Sequence, residues 1–324
     1  MLKVTKPGLA STVQDLGRPG YYNVGIPLSG ALDQYALRLA NLLVGNDEGA
    51  AAIECTLMAA ELEFTGDAIV AVTGANTTPK LNGDPMPMNE SFSVSEGDTL
   101  SFDFLRAGAR LYIAIAGGID VPSILGSRST YGLGAFGGFE GRKIAAGDML
   151  KIGSPSPMAK PGRKVAEDLV RSCEKEQEIR VLPGIYDYRL EPDAVESFYG
   201  DVWAVGSEAD RIGYRFKGGS ALKFKDRTPP FGAGSDPSNI VDAGYPYGSI
   251  QVPAGQEPII LHRDAVSGGG YAMIGTVISA DMDRIAQMQP NYKAQFVRVD
   301  MDGALAARSE ANARLARLRS SLAE

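Results

Sequence analysis

Short runs in which apolar side chains alternate with polar ones, each closed by Gly, Asn or Asp, recur along this chain and predict β-strands. In the first half they fall at 61–64, 68–72, 100–104, 110–115 and 148–152. In the second half a strand begins at Ile179, and others are predicted over 202–205, 213–216, 249–252, 258–261, 273–278 and 295–299. Gly97-Asp98 and Gly147-Asp148 each precede a strand and suit a tight turn. Helical spacing is rarer. Leu32, Ala36, Leu39, Ala40 and Leu43 share one face of a helix near 33–43, which Gly45-Asn46 closes. Brief helices are predicted over 192–199 and 281–288, and an Ala/Leu/Arg/Glu-rich tail predicts a terminal helix. Close strand spacing with few intervening helices argues against βαβ units: the fold expected is mainly β with a few helices, in two barrel-like domains.

A run with three prolines, Gly153 to Lys164, interrupts the patterning and reads as a linker. The division expected is a barrel over 1–154, a linker over 155–178, a second barrel over 179–300 and a terminal helix over 301–324. A length of 324 residues suits two domains. With 32 Lys+Arg against 39 Asp+Glu the net charge is −7, so no basic surface for nucleic acid is expected. Cys55 and Cys173 are too few and too distant for a disulfide framework or zinc site, and one His adds little, so no metal site is expected. The N-terminal residues lack a signal-peptide core and no apolar run spans a bilayer; a cytoplasmic protein without a membrane anchor is the expectation.

Four segments concentrate chemistry. Between Asp15 and Asp33, Ser29 or Asp33 can cap the first helix, and Arg18 with backbone N–H groups can hold an anion; the alternative is an Asp15–Arg18 pair that braces a turn. The run from Gly117 to Arg142 offers Arg128, Ser129, Thr130 and Arg142 as anion contacts, or is a purely structural hairpin. Its Gly132, Gly134 and Gly137 have dinucleotide-loop spacing without the helix that such a site needs. In Leu261 to Tyr271 the only His lies two residues before Asp264, on the same face of a strand, so that His262 and Asp264 can act as a proton-transfer couple; equally, His262 is a spectator. Ser267 and the glycines after it, Gly269 among them, lead to Tyr271 and can offer an oxyanion backbone donors, or form only a hairpin tip. Asp210 and Arg211 read as an ion-paired loop or as substrate ligands, and Gln251 as an amide contact or a turn residue.

Taken in order, these segments resemble the carboxyltransferase-like family that includes the C subunit of 5-oxoprolinase, allophanate hydrolase subunit 2, biotin-dependent carboxyltransferases and the sporulation-kinase antagonist KipA. The matching stretches are 11–20, 30–46, 116–131, 136–142, 181–184, 210–215, 248–253 and 269–286. The resemblance implies two cyclophilin-like β-barrel domains and a heteromeric complex with two further subunits of 5-oxoprolinase, the KipI-like B component and the lactam-utilisation A component. It implies an ATP-dependent hydrolase complex that opens 5-oxoproline or a related cyclic amide. Two alternatives travel with it: biotin-dependent carboxyl transfer to urea or a similar amide, and a regulatory binding subunit like KipA. Biotin enters only under the first of these, on a separate carrier, because Met86 to Met88 contain no lysine. Under the hydrolase reading Arg18, Asp33, Arg128, Asp210, Arg211 and Asp264 line the substrate pocket. The chain reads Ala265-Val266-Ser267 where many relatives carry Arg-Gln-Thr, so an amide contact to substrate is lost at Val266.

Overall fold

The computed structural model describes residues 1–323 and is mainly β. The chain divides into two units: residues 1–18, 29–173 and 313–323 form the first, and residues 19–28 and 174–312 the second.

In the first unit the elements are β1 (Leu2–Lys6), β2 (Ala10–Gln14), α1 (Gln34–Leu43), β3 (Ala52–Thr56), β4 (Glu61–Phe64), β5 (Ala68–Asn76), β6 (Pro79–Leu81), β7 (Asp84–Pro85), β8 (Ser91–Val94), β9 (Thr99–Phe102), β10 (Ala107–Ile115) and β11 (Met149–Leu150). They form a six-stranded sheet, β11-β1-β4-β9-β6-β7, and a five-stranded sheet, β2-β3-β10-β5-β8. Strand alternation sorts the core. Leu111, Ile113 and Ile115 of β10 join Leu2, Val4, Leu62, Phe64 and Leu100 of the other sheet in one cluster, whereas Tyr112 and Ala114 face α1. Ala52, Ala71 and Ala114 are small, so α1 lies close to the sheet with Leu37, Leu39, Ala40 and Leu43 buried. Asp33 caps that helix, its Oδ1 accepting from Ala36 N at 2.9 Å. Gly45 follows at φ 76°, where a Cβ would lie 2.8 Å from the Met158 backbone. The two Gly-Asp turns are built alike: Asp98 accepts from Ser95 N and Asp148 from Ala145 N, each at 2.7 Å. Residues 155–173 lie with this unit. Ser91 N donates to Arg163 O at 2.9 Å, and Val165 and Leu169 are buried beside α1.

The second unit contains β12 (Glu176–Pro183), α2 (Pro192–Gly200), β13 (Val202–Ala209), β14 (Gly213–Lys217), β15 (Asn239–Gly244), β16 (Ser249–Gln251), β17 (Ile259–Leu261), β18 (Gly268–Tyr271), β19 (Met273–Val277), α3 (Met282–Ala286) and β20 (Lys293–Arg298). Seven strands close a barrel in the order β12-β19-β16-β17-β14-β13-β20, completed by the parallel pairing of β12 with β20. Trp203, Phe216, Ile250 and Phe296 fill it, and α2 inserts Phe198 against Phe296 with ring centroids 4.7 Å apart. β15 and β18 form a separate two-stranded ribbon. The terminal helix is α4 (Met301–Ser321), and among the described residues no helix is long and apolar enough to cross a membrane.

Candidate functional site

In the first unit, Asp15 follows β2 and is buried. Its Oδ1 accepts from Gly17 N at 2.7 Å, Ser127 Oγ at 2.7 Å and Ser129 Oγ at 2.5 Å, and its Oδ2 from Arg128 N at 2.5 Å. One carboxylate thus fixes the 127–129 segment to the end of β2. Arg18 is almost completely buried; its Nη2 donates to Ser129 O, and its guanidinium lies 4.9 Å from the Phe136 ring. The glycine run serves this packing. A Cβ at Gly137 would lie 2.1 Å from Ser129 O and 2.8 Å from Arg18 Nη2, so the segment wraps the arginine and leaves no open phosphate loop. Ser29, at φ 50°, and Gly30, at φ 85°, turn the chain against residues 15–17, where Ala31 N donates to Asp15 O at 2.8 Å.

Behind the start of α1 lies a carboxylate that the sequence did not single out. Glu54 is buried on β3, where Oε2 accepts from Leu32 N at 2.8 Å and Tyr112 OH at 2.7 Å; that hydroxyl in turn accepts from Asp33 N at 2.8 Å. Burial, then the Glu54 charge, pushes the Tyr112 hydroxyl well above its ordinary range. A glutamate between Ile53 and Cys55 in a buried strand was the available signal.

Arg128 itself is exposed. Its Nε donates to Val121 O at 2.9 Å, and its side chain lines a cavity of about 700 Å³ together with Asn46, Asp47, Asp120, Ser154 and a rim of glycines. Gly117 is at φ 94°, and a Cβ there would lie 2.2 Å from Gly153 O, so this wall admits only glycine. One guanidinium facing two carboxylates suits a small molecule with an anionic end and N–H donors.

In the second unit Arg211 grips Asp264 as a fork: Nε to Oδ2 at 2.7 Å and Nη2 to Oδ1 at 3.1 Å, with Asp264 N donating to Arg211 O at 2.9 Å. Asp210 closes the turn ahead of β14, its Oδ1 accepting from Ile212 N at 2.8 Å and Gly213 N at 3.2 Å. His262 is fully buried between Tyr214 and Tyr247, with ring centroids 5.7 and 5.3 Å away. Its Nδ1 accepts from Arg263 N at 3.0 Å, which places the ring proton on Nε2, 3.4 Å from Met282 O. The guanidinium of Arg263 lies 5.1 Å from the Tyr247 ring. Burial raises the hydroxyls of Tyr247 and Tyr22; Arg263 opposes both shifts, and Asp264 adds to that of Tyr22. Sequence reasoning passed over Arg263, Tyr22 and Tyr247. The position of Arg263 between His262 and Asp264 was the signal for the first; nothing local marks the tyrosines.

The ribbon is pinned by Tyr245, whose hydroxyl donates to Tyr271 O and accepts from Tyr271 N, both at 2.7 Å, and bonds the Gln251 side chain. Gly269 pairs with Ala243 in the ladder, and a Cβ there would meet the Tyr245 ring at 3.0 Å. Ser267 takes Tyr245 N on its carbonyl at 2.8 Å, and Val266 is exposed. The expected site residues are divided between the two units. Arg18, Ser29, Asp33, Arg128 and Ser129 belong to the first unit; Asp210, Arg211, Gln251, His262, Asp264, Ser267, Gly269 and Tyr271 belong to the second. Among the described residues no cluster of His, Cys, Asp and Glu could hold a metal ion.

The chain is similar to the C subunit of Escherichia coli 5-oxoprolinase, 36% identical over 96% of this chain and 95% of that one. It is 38% identical to the urea amidolyase of Lachancea kluyveri over 92% of its own length, while spanning only 17% of that protein. The crystal structure of the K. lactis urea amidolyase superposes on 98% of the chain with a TM-score of 0.91 at 32% identity, again over a fifth of the larger protein (20%). Residues 24–298 match the model for the carboxyltransferase domain, subdomains A and B, and with this coverage of both units the chain belongs to that family.

Proposed function

We propose that this chain is one subunit of an ATP-dependent 5-oxoprolinase-type complex, a hydrolase that opens 5-oxoproline or a related lactam to the amino acid. The observation that carries the reading is the end-to-end correspondence with the C subunit of 5-oxoprolinase, against the small fraction of urea amidolyase that the chain spans. The cavity of the first unit suits such a substrate. A lactam acid presents a carboxylate, a polar carbonyl and one N–H. Arg128 beside Asp47 and Asp120 complements the carboxylate and the N–H. In the second unit, the Arg211–Asp264 fork fixes the strand end that carries Arg263. Asp33 and Asp210 spend carboxylate oxygens on a helix cap and a turn, so we assign them positioning rather than chemistry. His262, buried with Nε2–H toward a carbonyl, orients the 262–264 strand end.

The glycine-rich segment at 132–141 does not fit a nucleotide. It is filled by Arg18 and Phe136, so we place ATP on a KipI-like or a lactam-utilisation partner, in a cytoplasmic assembly. The purified chain alone is expected to be inactive. Mixed with both partners, ATP and 5-oxoproline, it releases phosphate and glutamate; no product with all subunits soluble overturns the reading.

The close superposition on urea amidolyase favours a second reading, carboxyl transfer from a biotin carrier to urea or a similar amide. Transfer of label from a carboxylated carrier to urea, with no phosphate release from 5-oxoproline mixtures, would select it.

A further inference from the structure

Arg189 takes no part in the site above, yet it is only 6% exposed. Its Nη2 donates to Pro237 O and, at 3.2 Å, to Asn239 O. Its Nε and Nη1 are buried and make no hydrogen bond. The rings of Tyr186 and Phe224 flank the guanidinium at 5.8 and 5.7 Å. A like charge acts on it from Arg227, which also donates to Asn239 O. Lys225 is nearby, its Nζ donating to Tyr188 O at 2.6 Å. Among the described residues none of these three cations forms an ion pair.

Burying a guanidinium without a counter-charge is costly, and carbonyl oxygens with ring faces return only part of that cost. Nε and Nη1 lie on either side of Nη2, so once Nη2 leaves its carbonyl oxygens it forms with either of them a pair of parallel N–H donors that matches two oxygens on one carboxylate or phosphoryl group. The cover over Arg189 is of a kind that can move. Residues 227–238 contain no helix or strand, Gly232 and Gly234 stand at φ 87° and 69°, and Phe231 is fully exposed. The hydrogen bonds that hold Arg189 here end on backbone carbonyls, weaker acceptors than an anion.

We propose that Arg189 and Arg227 form a binding site for a small oxyanion, a carboxylate or a phosphoryl group, which enters when residues 227–238 lift and displaces carbonyl oxygens from the two guanidinium groups. The proposal stands apart from the assignment of the reaction, since binding is measured on the full chain without partners or turnover.

The test is calorimetric titration of the chain with inorganic phosphate and, separately, with acetate and 5-oxoproline. Saturable binding of phosphate alone identifies a phosphoryl ligand, and saturable binding of the carboxylates identifies a carboxylate ligand; either result supports the site. Arg189→Gln is expected to weaken that binding by about tenfold or more and Arg227→Gln by less. Hydrogen exchange across 227–239 should slow when the anion is added. If Arg189→Gln does not fold, Arg227→Gln, which alters an exposed side chain, is read together with the Arg189 Nε–H resonance, which must shift on titration. Absence of saturable binding by any of these anions, or binding unchanged in the variants, overturns the site. Inactivity of the reconstituted complex would leave a positive titration standing.

Discussion

Replacing Asp15 by Ala removes one carboxylate that four donors share, and the structure sets the size of the loss. The Gly17 and Arg128 amides, at 2.7 and 2.5 Å, cannot turn to new partners, whereas the hydroxyls of Ser127 and Ser129 can rotate. A buried donor left unsatisfied costs about 1–3 kcal/mol, so two fixed amides and two partly rescued hydroxyls give about 3–5 kcal/mol for Asp15→Ala. Asp15→Asn keeps an acceptor on one side but turns an NH2 group toward a donor, and should cost about half as much. Denaturant unfolding followed by far-ultraviolet circular dichroism measures the total. Hydrogen exchange over 127–130 localises it. The only tryptophan, Trp203, lies in the second unit and serves as a separate fluorescence probe. A loss of less than about 1 kcal/mol, with exchange at 127–130 unchanged, would refute the claim that this carboxylate organises the segment that presents Arg128.

Three further outcomes are expected. Arg180 places its backbone N and Nε 2.9 Å and its Nη2 2.6 Å from the fully buried Asp281, whose other cationic partner, Arg284, lies at 3.7 Å, so Arg180→Gln leaves the carboxylate with the backbone N–H and the more distant Arg284 and should cost about 1–3 kcal/mol; denaturant melts showing no loss would contradict this. The Cys55 thiol is pushed up to about 11 by burial, so its contribution to stability is whole below the unfolded-state pKa and is lost as pH rises from about 9 toward 11, by about 2–3 kcal/mol. Stability curves of the parent and Cys55→Ala should therefore converge across that range, while the buried tyrosines contribute equally to both; parallel curves would dismiss it. Asp33→Asn keeps a good helix cap and should retain reconstituted activity, whereas Arg211→Lys loses the two-pronged hold on Asp264 and should lower it by about 10-fold or more. An inactive, folded Asp33→Asn would return Asp33 to the chemistry.

Much of the fold is written locally. The spacing of Leu39, Ala40 and Leu43 marks α1, and the two Gly-Asp pairs mark turns that prove to be the same structure. β3 escapes because Glu54 interrupts its apolar run. β18 has glycine at three of its four positions, leaving no side chains to alternate. At the site the limit is distance along the chain. Asp15 and Arg18, three residues apart, invite a local ion pair, but both also reach 127–129, where Asp15 accepts from Arg128 N and Arg18 donates to Ser129 O. No local pattern reports a contact with a sequence separation of 111–114 residues. The glycine run at 132–141 has the composition of a phosphate loop, yet what it accommodates is the packing of Phe136 on Arg18. His262 and Asp264 share a strand-end spacing that suggests a couple, whereas Arg211 occupies both oxygens of Asp264 and Arg263 N–H reaches the His262 ring.

The measurement that bears most directly on the proposed role is 5-oxoproline-dependent ATP hydrolysis by a mixture of this chain with the KipI-like and lactam-utilisation subunits proposed as its partners. Phosphate and glutamate appearing together, only when all three chains and 5-oxoproline are present, is the result expected. Soluble, assembled subunits that yield neither product, while carboxylated biotin carrier transfers its label to urea through this chain, would contradict it.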